Sequence, residues 1–306
     1  MIYEPIYLHK ALKYKPDKHL NLLAGRWIQL KIDGIGTQIV FNDGDVQIYA
    51  MSKAAVSGVF TNFTSKLPHL IEELKQFEFE GILQGELIAD YIPEGSDPVG
   101  YVTGILHADN GIERQKDNKL KLILYEVPSH KGSYKLRYET LLKLFANAPY
   151  PDYIRWNPIL TINDRANKKL DECFAKIIND NLEGVVLYDP TCLYKHSKTA
   201  CQRNKGLIKI KAENETEVLC VEMIEGKEGK FKGTLGSMEC VDRFGKQFHI
   251  GSFNITDEER NRIWNELETP FLVEMYYFME TDESYKLTRY KRARPDKNIE
   301  EWNKLD

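Results

Sequence analysis

The chain has 306 residues, 42% of them hydrophobic and 29% charged, with a formal net charge of -4. Those proportions are those of a folded globular protein of one large or two modest domains, and no apolar run reaches the roughly 20 residues of a membrane-spanning helix. The N-terminal MIYEPIYLHKALKYKPDKHL lacks the basic-then-apolar order of a secretion signal; the five cysteines form no C-x-x-C pair, which excludes the usual zinc spacing and fits reduced thiols in a cytosol-like compartment.

Taken in chain order, the first strand pattern is WIQLKIDGIGTQIVF, which contains Lys31. An Asn42-Asp-Gly44-Asp turn leads into a second strand over 45–51, a hairpin signal. Apolar spacing at Leu67, Leu70, Ile71 and Leu74 predicts a helix over 61–77. A strand follows over 81–89, then a Pro- and Gly-rich loop from Asp90 to about Gly104. LKLILYEV, 120–127, reads as a nearly continuous apolar strand. Helices are expected at 135–146 and 164–181, and strands at 184–188 and 207–211. The acidic stretch 212–217, AENETE, reads as a hinge. Beyond it, short strands and glycine turns surround one helix, 257–267, with Thr256 as its N-cap and three acids in its first turn. Several strands and one helix in about 90 residues suggest a small Greek-key barrel. The domains expected are therefore 1–212 and 213–306.

Lys31 is the residue that points to chemistry. An ammonium inside an apolar run is costly without compensation, and a lysine delivered by a strand into an Asp33-Gly34 turn can serve as a nucleophile. Around it the chain offers Glu86, in Gly-Glu-Leu, as a strand-end carboxylate or a surface acid. Tyr125 is an aromatic face for a base or ordinary core. Glu183, in Glu-Gly-Val-Val, can reach a metal or cap a turn. Leu207-Ile-Lys209-Ile-Lys211 places two lysines on one strand face. An anion between them would relieve their repulsion, although lysines also protect sheet edges. Near the C-terminus, Arg294-Pro-Asp296-Lys297 sets two cations around one acid, within a tail (286–297) of six basic residues and one acid.

The ordered series KIDG, GEL, LYE, EGVV, IKIK and RPDK resembles the motifs of ATP-dependent DNA ligases, in the covalent nucleotidyltransferase superfamily. The tract GKFKGTLGSMECVDRFGKQFHIGS is similar to the ligase OB-fold domain. The likeness runs over about 26–297 and is to the small viral and phage enzymes. It implies an α+β fold: an ATP-grasp-like nucleotidyltransferase (adenylation) domain with antiparallel sheets, followed by an all-β OB-fold domain. It implies that Lys31 attacks the α-phosphate of ATP and carries AMP. Asp33 and Glu86 would organise the ribose and the lysine beside Gly34, Tyr125 would stack on adenine, and Gln29 would contact the adenine edge. Glu183 and Glu86 would hold Mg2+ or Mn2+. Lys209 and Lys211 would bind the α-phosphate, and Arg294, Asp296 and Lys297 would orient pyrophosphate. The partner implied is nicked duplex DNA, gripped by Lys53, Lys198, Lys230, Lys232 and Arg292. The enzyme expected is a monomer of the cell interior, virus- or phage-encoded.

Three positions depart from the family pattern. Gly36, Lys53 and Lys198 stand where the family has arginines that contact the nick phosphates. Lysine keeps charge but loses the bidentate fork, and glycine keeps neither. A weaker grip on the 5′-phosphate is expected, and Gly36→Arg should tighten it. Two other readings stand beside DNA ligation: an RNA-strand ligase or GTP-using nucleotidyltransferase with the same lysine chemistry, and a duplex-binding relative that has lost turnover.

Overall fold

A computed structural model describes residues 2–303 except 55–56, 94–95, 117, 149–150, 165–167, 181, 198–199, 212, 278, 281 and 287. The chain separates into two compact units: Met1–Pro93 with Pro98–Ala212, and Glu94–Asp97 with Glu213–Asp306.

The first unit carries strands β1 (Lys10–Lys13), β2 (Trp27–Leu30), β3 (Ile35–Asn42), β4 (Asp45–Lys53), β5 (Phe60–Asn62), β6 (Gly81–Ala89), β7 (Leu120–Glu126), β8 (Ile154–Trp156), β9 (Ile159–Ile162), β10 (Gly184–Tyr188) and β11 (Arg203–Lys211). They form a six-stranded sheet, ordered β5-β4-β3-β6-β7-β8, and a five-stranded sheet, ordered β1-β11-β10-β2-β9. The pairings are antiparallel except β7 with β8 and β1 with β11. Asp43 and Gly44 join β3 to β4 with φ of +48° and +78°. Two successive left-handed residues give the hairpin turn whose twist matches the sheet.

The main core buries Ile39, Phe41, Ile48, Leu83 and Leu87 of the six-stranded sheet against Leu70 and Leu74 of helix Pro68–Leu74, Ile105 of helix Pro98–His107 and Leu141 of helix Tyr134–Asn147. Leu120, Leu122 and Leu124 alternate with less buried neighbours, so the apolar run in β7 is a strand with one face in this core. A second cluster joins Ile28, Val185, Leu187 and Ile208 of the five-stranded sheet to Leu170 and Ile177 of helix Lys168–Asn179.

Several local expectations change. The helix expected over 61–77 resolves into β5, a 3-10 turn at Thr64–Lys66 and a helix that starts only at Pro68. Proline suits a first helical position and not a helix interior. The loop expected at 90–104 holds the start of helix Pro98–His107.

The second unit carries β12 (Asn214–Glu225), β13 (Leu235–Val241), β14 (Gln247–Ile250), β15 (Phe271–Tyr277), β16 (Met279–Glu280), β17 (Tyr285–Lys286) and β18 (Arg289–Ala293). Its five-stranded antiparallel sheet is ordered β14-β13-β12-β15-β18. Helix Asp257–Glu266 lies between β14 and β15, and Thr256 caps it by accepting the Glu259 N–H at 3.1 Å. Val218, Cys220, Met238, Ile250, Ile263, Val273 and Met275 form the core.

The acidic stretch read as a hinge lies where the first unit ends at Ala212 and the second resumes at Glu213, and from Asn214 it is the start of a strand. Its residues from Asn214 pair in register with β15. Glu213, Glu215 and Glu217 alternate, and they meet Arg289 at 2.7 Å, Lys291 at 2.5 Å and Lys297 at 2.6 Å. A run of acids looks like linker until its period-two partners are known. Among the described residues no helix is long and apolar enough to cross a membrane, and all five cysteines are free thiols.

Candidate active site

β2 belongs to the five-stranded sheet and β3 to the six-stranded one, so Lys31-Ile32-Asp33-Gly34 is the crossing between them. The Lys31 N–H donates to the Gly184 carbonyl at 2.9 Å and extends the β2–β10 ladder by one residue. The backbone is thereby fixed on both sides of the lysine. Gly34 is required here, because a Cβ would lie 2.2 Å from the Leu87 carbonyl oxygen. Gly184 is required twice over, by a φ of +145° and by a Cβ position 2.2 Å from the Ile210 oxygen.

The lysine side chain meets Glu183. Lys31 Nζ donates to one carboxylate oxygen of Glu183, and Lys211 Nζ reaches the other at 2.6 Å. Glu183 is 4% exposed. A buried carboxylate thus sits between two ammonium groups, an arrangement that offsets the desolvation of all three.

Lys31 opens into a cleft of about 390 Å³ in the first unit, lined also by Glu86, Tyr125 and Lys209 together with His9, Lys10, Met51, Asn157, Tyr188 and Arg203. Tyr125 OH donates to Glu86 at 3.3 Å and accepts from Gln84 Nε2 at 3.1 Å. Burial pushes the Glu86 carboxyl up to about 7; Lys31 opposes the rise, and Glu183 and Asp33 add to it. Lys209 is held below the ordinary lysine value by burial, then by the positive charges of Lys31, Lys211 and Arg203. A cation depressed by its neighbours in this way is stabilised by an anion entering beside it, and a phosphate is such an anion.

The model of the ATP-dependent DNA ligase domain matches residues 8–211. The chain belongs to that family. A DNA ligase of Methanococcus maripaludis is 24% identical over an alignment of 322 residues, which takes in 91% of this chain and 54% of the relative. The chain therefore spans about half the length of the curated relatives it matches. Among solved structures, one from a structure-function study of Lig E DNA ligases aligns with a TM-score of 0.67 and 21% identity, over 94% of this chain and 98% of that one. Another, named Pmar-Lig_Pre, gives 0.74 and 19%, over 95% and 68%. At these identities the likeness is one of fold, a mixed α+β architecture with antiparallel sheets.

The ligase motifs distribute as follows. Lys31, Glu86, Tyr125 and Lys209 line the cleft; Glu183 and Lys211 meet at its lysine, and Asp33 and Gly34 shape the connection that carries it. Gln29 is fully buried. Its amide donates to the Asn157 carbonyl at 2.6 Å and accepts from Tyr134 OH at 2.8 Å, so its polar ends tie β2 to neighbouring segments. Of the grip residues, Lys53 is exposed over the Tyr7 and Phe60 rings, and Lys198 lies outside the described residues. Lys230 falls in a 3-10 turn, Gly229–Phe231, and pairs with Asp257 at 3.1 Å, so it does not share a strand face with the exposed Lys232. Arg292 pairs with Glu274 at 2.5 Å. Arg294 reaches Glu217 and Asp296, each at 2.9 Å, and Glu217 also holds Lys297.

Glu183 and Glu86, expected to help hold a divalent ion, lie within electrostatic reach of each other beside Lys31, and the oxygens of Glu183 each hold a lysine. An arginine at position 36 would require Met51 to move, since a Cβ on Gly36 would lie 2.7 Å from Met51 Sδ and 3.3 Å from Met51 Cβ.

Sequence reasoning missed Arg203, Lys10, His9 and Asn157. For Arg203 a signal was available. It lies on β11 with the same even spacing as Lys209 and Lys211. Lys10 had none, because it enters the cleft through β1, whose Cα register pairs it with Arg203 across 192 residues of intervening chain.

Proposed function

We propose that this chain is an ATP-dependent DNA ligase that seals 3′-hydroxyl/5′-phosphate nicks through a lysyl-AMP intermediate. The observation that carries the reading is the setting of Lys31: a rigidly delivered amine in contact with a buried carboxylate, beside Lys209 and Lys211, in the unit that the family model covers.

Glu183 is placed to accept the proton that Lys31 Nζ must lose. The neutral amine attacks the α-phosphorus of ATP, the bond to the bridging oxygen breaks, and pyrophosphate leaves. Lys209 and Lys211 offset charge that builds on the phosphate oxygens. In the second step a 5′-phosphate oxygen of the nick attacks the same phosphorus and Lys31 leaves, recovering a proton. In the third, the 3′-hydroxyl attacks the activated 5′-phosphate and AMP departs. Glu183 and Glu86 would help hold a divalent ion, which would supply charge neutralisation at the triphosphate, since magnesium is commonly held by phosphates, water and few carboxylates. Tyr125 offers its ring to the base.

For the second unit the reading is an OB-fold barrel. Three features support it: the strand order β14-β13-β12-β15-β18, a parallel bridge between Phe253 and Tyr290 next to the end of β14, and a helix between β14 and β15. Arg294, Asp296 and Lys297 are assigned to pyrophosphate in the first step, which requires that Arg294 and Lys297 exchange Glu217 for the nucleotide, with Asp296 holding Arg294.

Intact-mass measurement tests the reading. The chain with ATP and magnesium should gain one adenylyl group, and Lys31→Ala should gain none. Absence of the gain in the wild type under every nucleotide and metal tried overturns the enzyme reading. Sealing of DNA–DNA, DNA–RNA and RNA–RNA nicks then separates DNA ligation from RNA ligation, and labelling by GTP alone would favour the GTP-using alternative.

A further inference from the structure

The cleft holds a polar atom that the scheme above leaves unused. Asn157 lies in the short connection between β8 and β9 and is 4% exposed. Its backbone is fixed: the N–H donates to the Leu124 carbonyl at 2.8 Å, and the carbonyl accepts from Gln29 Nε2 at 2.6 Å and from Tyr138 OH at 3.2 Å. Its side-chain Nδ2 donates to the Leu30 carbonyl at 2.9 Å. A carbonyl oxygen can only accept, so this bond sets which end of the amide is nitrogen. The other end, Oδ1, is buried and has no partner.

Buried polar atoms are nearly always satisfied, and an exception calls for an explanation. Among the described residues the unpartnered buried side-chain atoms are His9 Nε2, His130 Nδ1, Asn157 Oδ1 and Trp302 Nε1. Both His9 and Asn157 line the one cleft that contains Lys31. The His9 Nε2 atom faces the Glu126 carboxylate at 4.0 Å, so a partner for it is already at hand in the cleft wall. Asn157 Oδ1 has no hydrogen-bond partner among the described residues, and an unpartnered acceptor on a residue of the cleft wall fits a ligand that donates to it.

We infer that Asn157 Oδ1 is the base-selecting atom of this cleft, accepting a hydrogen bond from the exocyclic 6-amino group of adenine. The inference rests on the ligase reading for the presence of a nucleotide. Three observations place the base here. Asn157 follows β8, which pairs with the β7 residues preceding Tyr125, the aromatic platform. It is bonded to Leu30, the residue before the nucleophile. Gln29, which the motif pattern would assign to the adenine edge, has its amide engaged elsewhere. A 6-amino group is a donor, whereas the 6-oxo group of guanine or hypoxanthine presents lone pairs to a lone pair. Sites that hydrogen-bond a substrate group reject analogues that leave a buried atom unpaired.

The test compares Lys31 modification, followed by intact mass over time, for ATP, purine riboside triphosphate (which lacks the 6-substituent) and inosine triphosphate. The wild-type chain should prefer ATP over purine riboside triphosphate by roughly tenfold in kcat/KM, as one hydrogen bond implies, and should disfavour inosine triphosphate further. Asn157→Ala should shrink the ATP to purine riboside ratio to near one. Asn157→Asp, which retains an acceptor, should restore part of it. A wild type indifferent to the 6-position overturns the inference and needs no variant. So does an Asn157→Ala chain that slows on both nucleotides with the ratio intact, which would make the residue structural. Failure of every nucleotide to modify Lys31 overturns the underlying ligase reading instead.

Discussion

Glu86 shows how one residue's surroundings set its chemistry. It sits beside Lys31, Glu183, Asp33 and the Tyr125 hydroxyl, and burial leads the causes that push it up to about 7. The folded state therefore favours the protonated acid relative to the unfolded chain, whose ordinary value is 4.5. Its contribution to stability is complete below 4.5 and is lost as pH rises through about 7. Glu86→Gln, which stays neutral, should match the wild type near pH 4.5 and exceed it above pH 7 by up to about 3 kcal/mol. Urea midpoints measured across that range check this, and a difference that does not change with pH would remove the assignment. Gly36 carries a related lesson. The motif resemblance reads it as a missing arginine, while in the structure Met51 packs against the place a side chain would start. A glycine records what is absent from a side chain, not what neighbour has taken the space.

At the scale of elements, β12 and β18 with the segment after it form one electrostatic unit. Glu213, Glu215 and Glu217 face Arg289, Lys291, Arg294 and Lys297 across the second unit's sheet, and Glu274 adds contacts to Lys291 and Arg292. The hydrogen bond from Lys291, aided by Arg292, holds the Glu274 carboxyl at about 2. Cations engaged with their own strand neighbours are partly withdrawn from other polyanions. Replacing Glu213 and Glu215 with glutamine should release Arg289 above all, because Lys291 keeps Glu274. Duplex binding should tighten, and the slope of log affinity against log salt should steepen by about one. Titrations at several salt concentrations measure both quantities. An unchanged slope would mean that this face does not meet the DNA backbone.

The whole molecule divides its labour between two cores. The first unit holds the amine, its carboxylate partner and the cleft; the second presents the Arg294–Lys297 segment. If that segment serves only the reaction with ATP, Arg294→Ala combined with Lys297→Ala should slow Lys31 modification by roughly a hundredfold or more. Sealing of a nick supplied already adenylylated should change little. Equal losses in both assays would assign the pair to DNA contact or to folding. The double change also leaves Glu217 opposite Glu274 with fewer compensating cations, so an unfolding curve belongs beside the kinetics.

The sequence by itself determined the local chemistry of this protein. The spacing of KIDG, GEL, LYE, EGVV and IKIK named Lys31, Glu86, Tyr125, Glu183 and Lys209, and a period of two put Lys209 and Lys211 on one strand. These features are short-range, governed by neighbouring residues and by the geometry of a strand. The N-cap at Thr256 was legible for the same reason, as was the Asp43-Gly44 turn. Only the tertiary structure decided which distant residues join them. It brought Lys10 beside Arg203, set Met51 against Gly36, paired the acidic residues from Asn214 onward with β15, and left Asn157 Oδ1 without a partner. Each of those outcomes depends on sheet register and on volume already occupied by other side chains, and neither is written within any one segment of the chain.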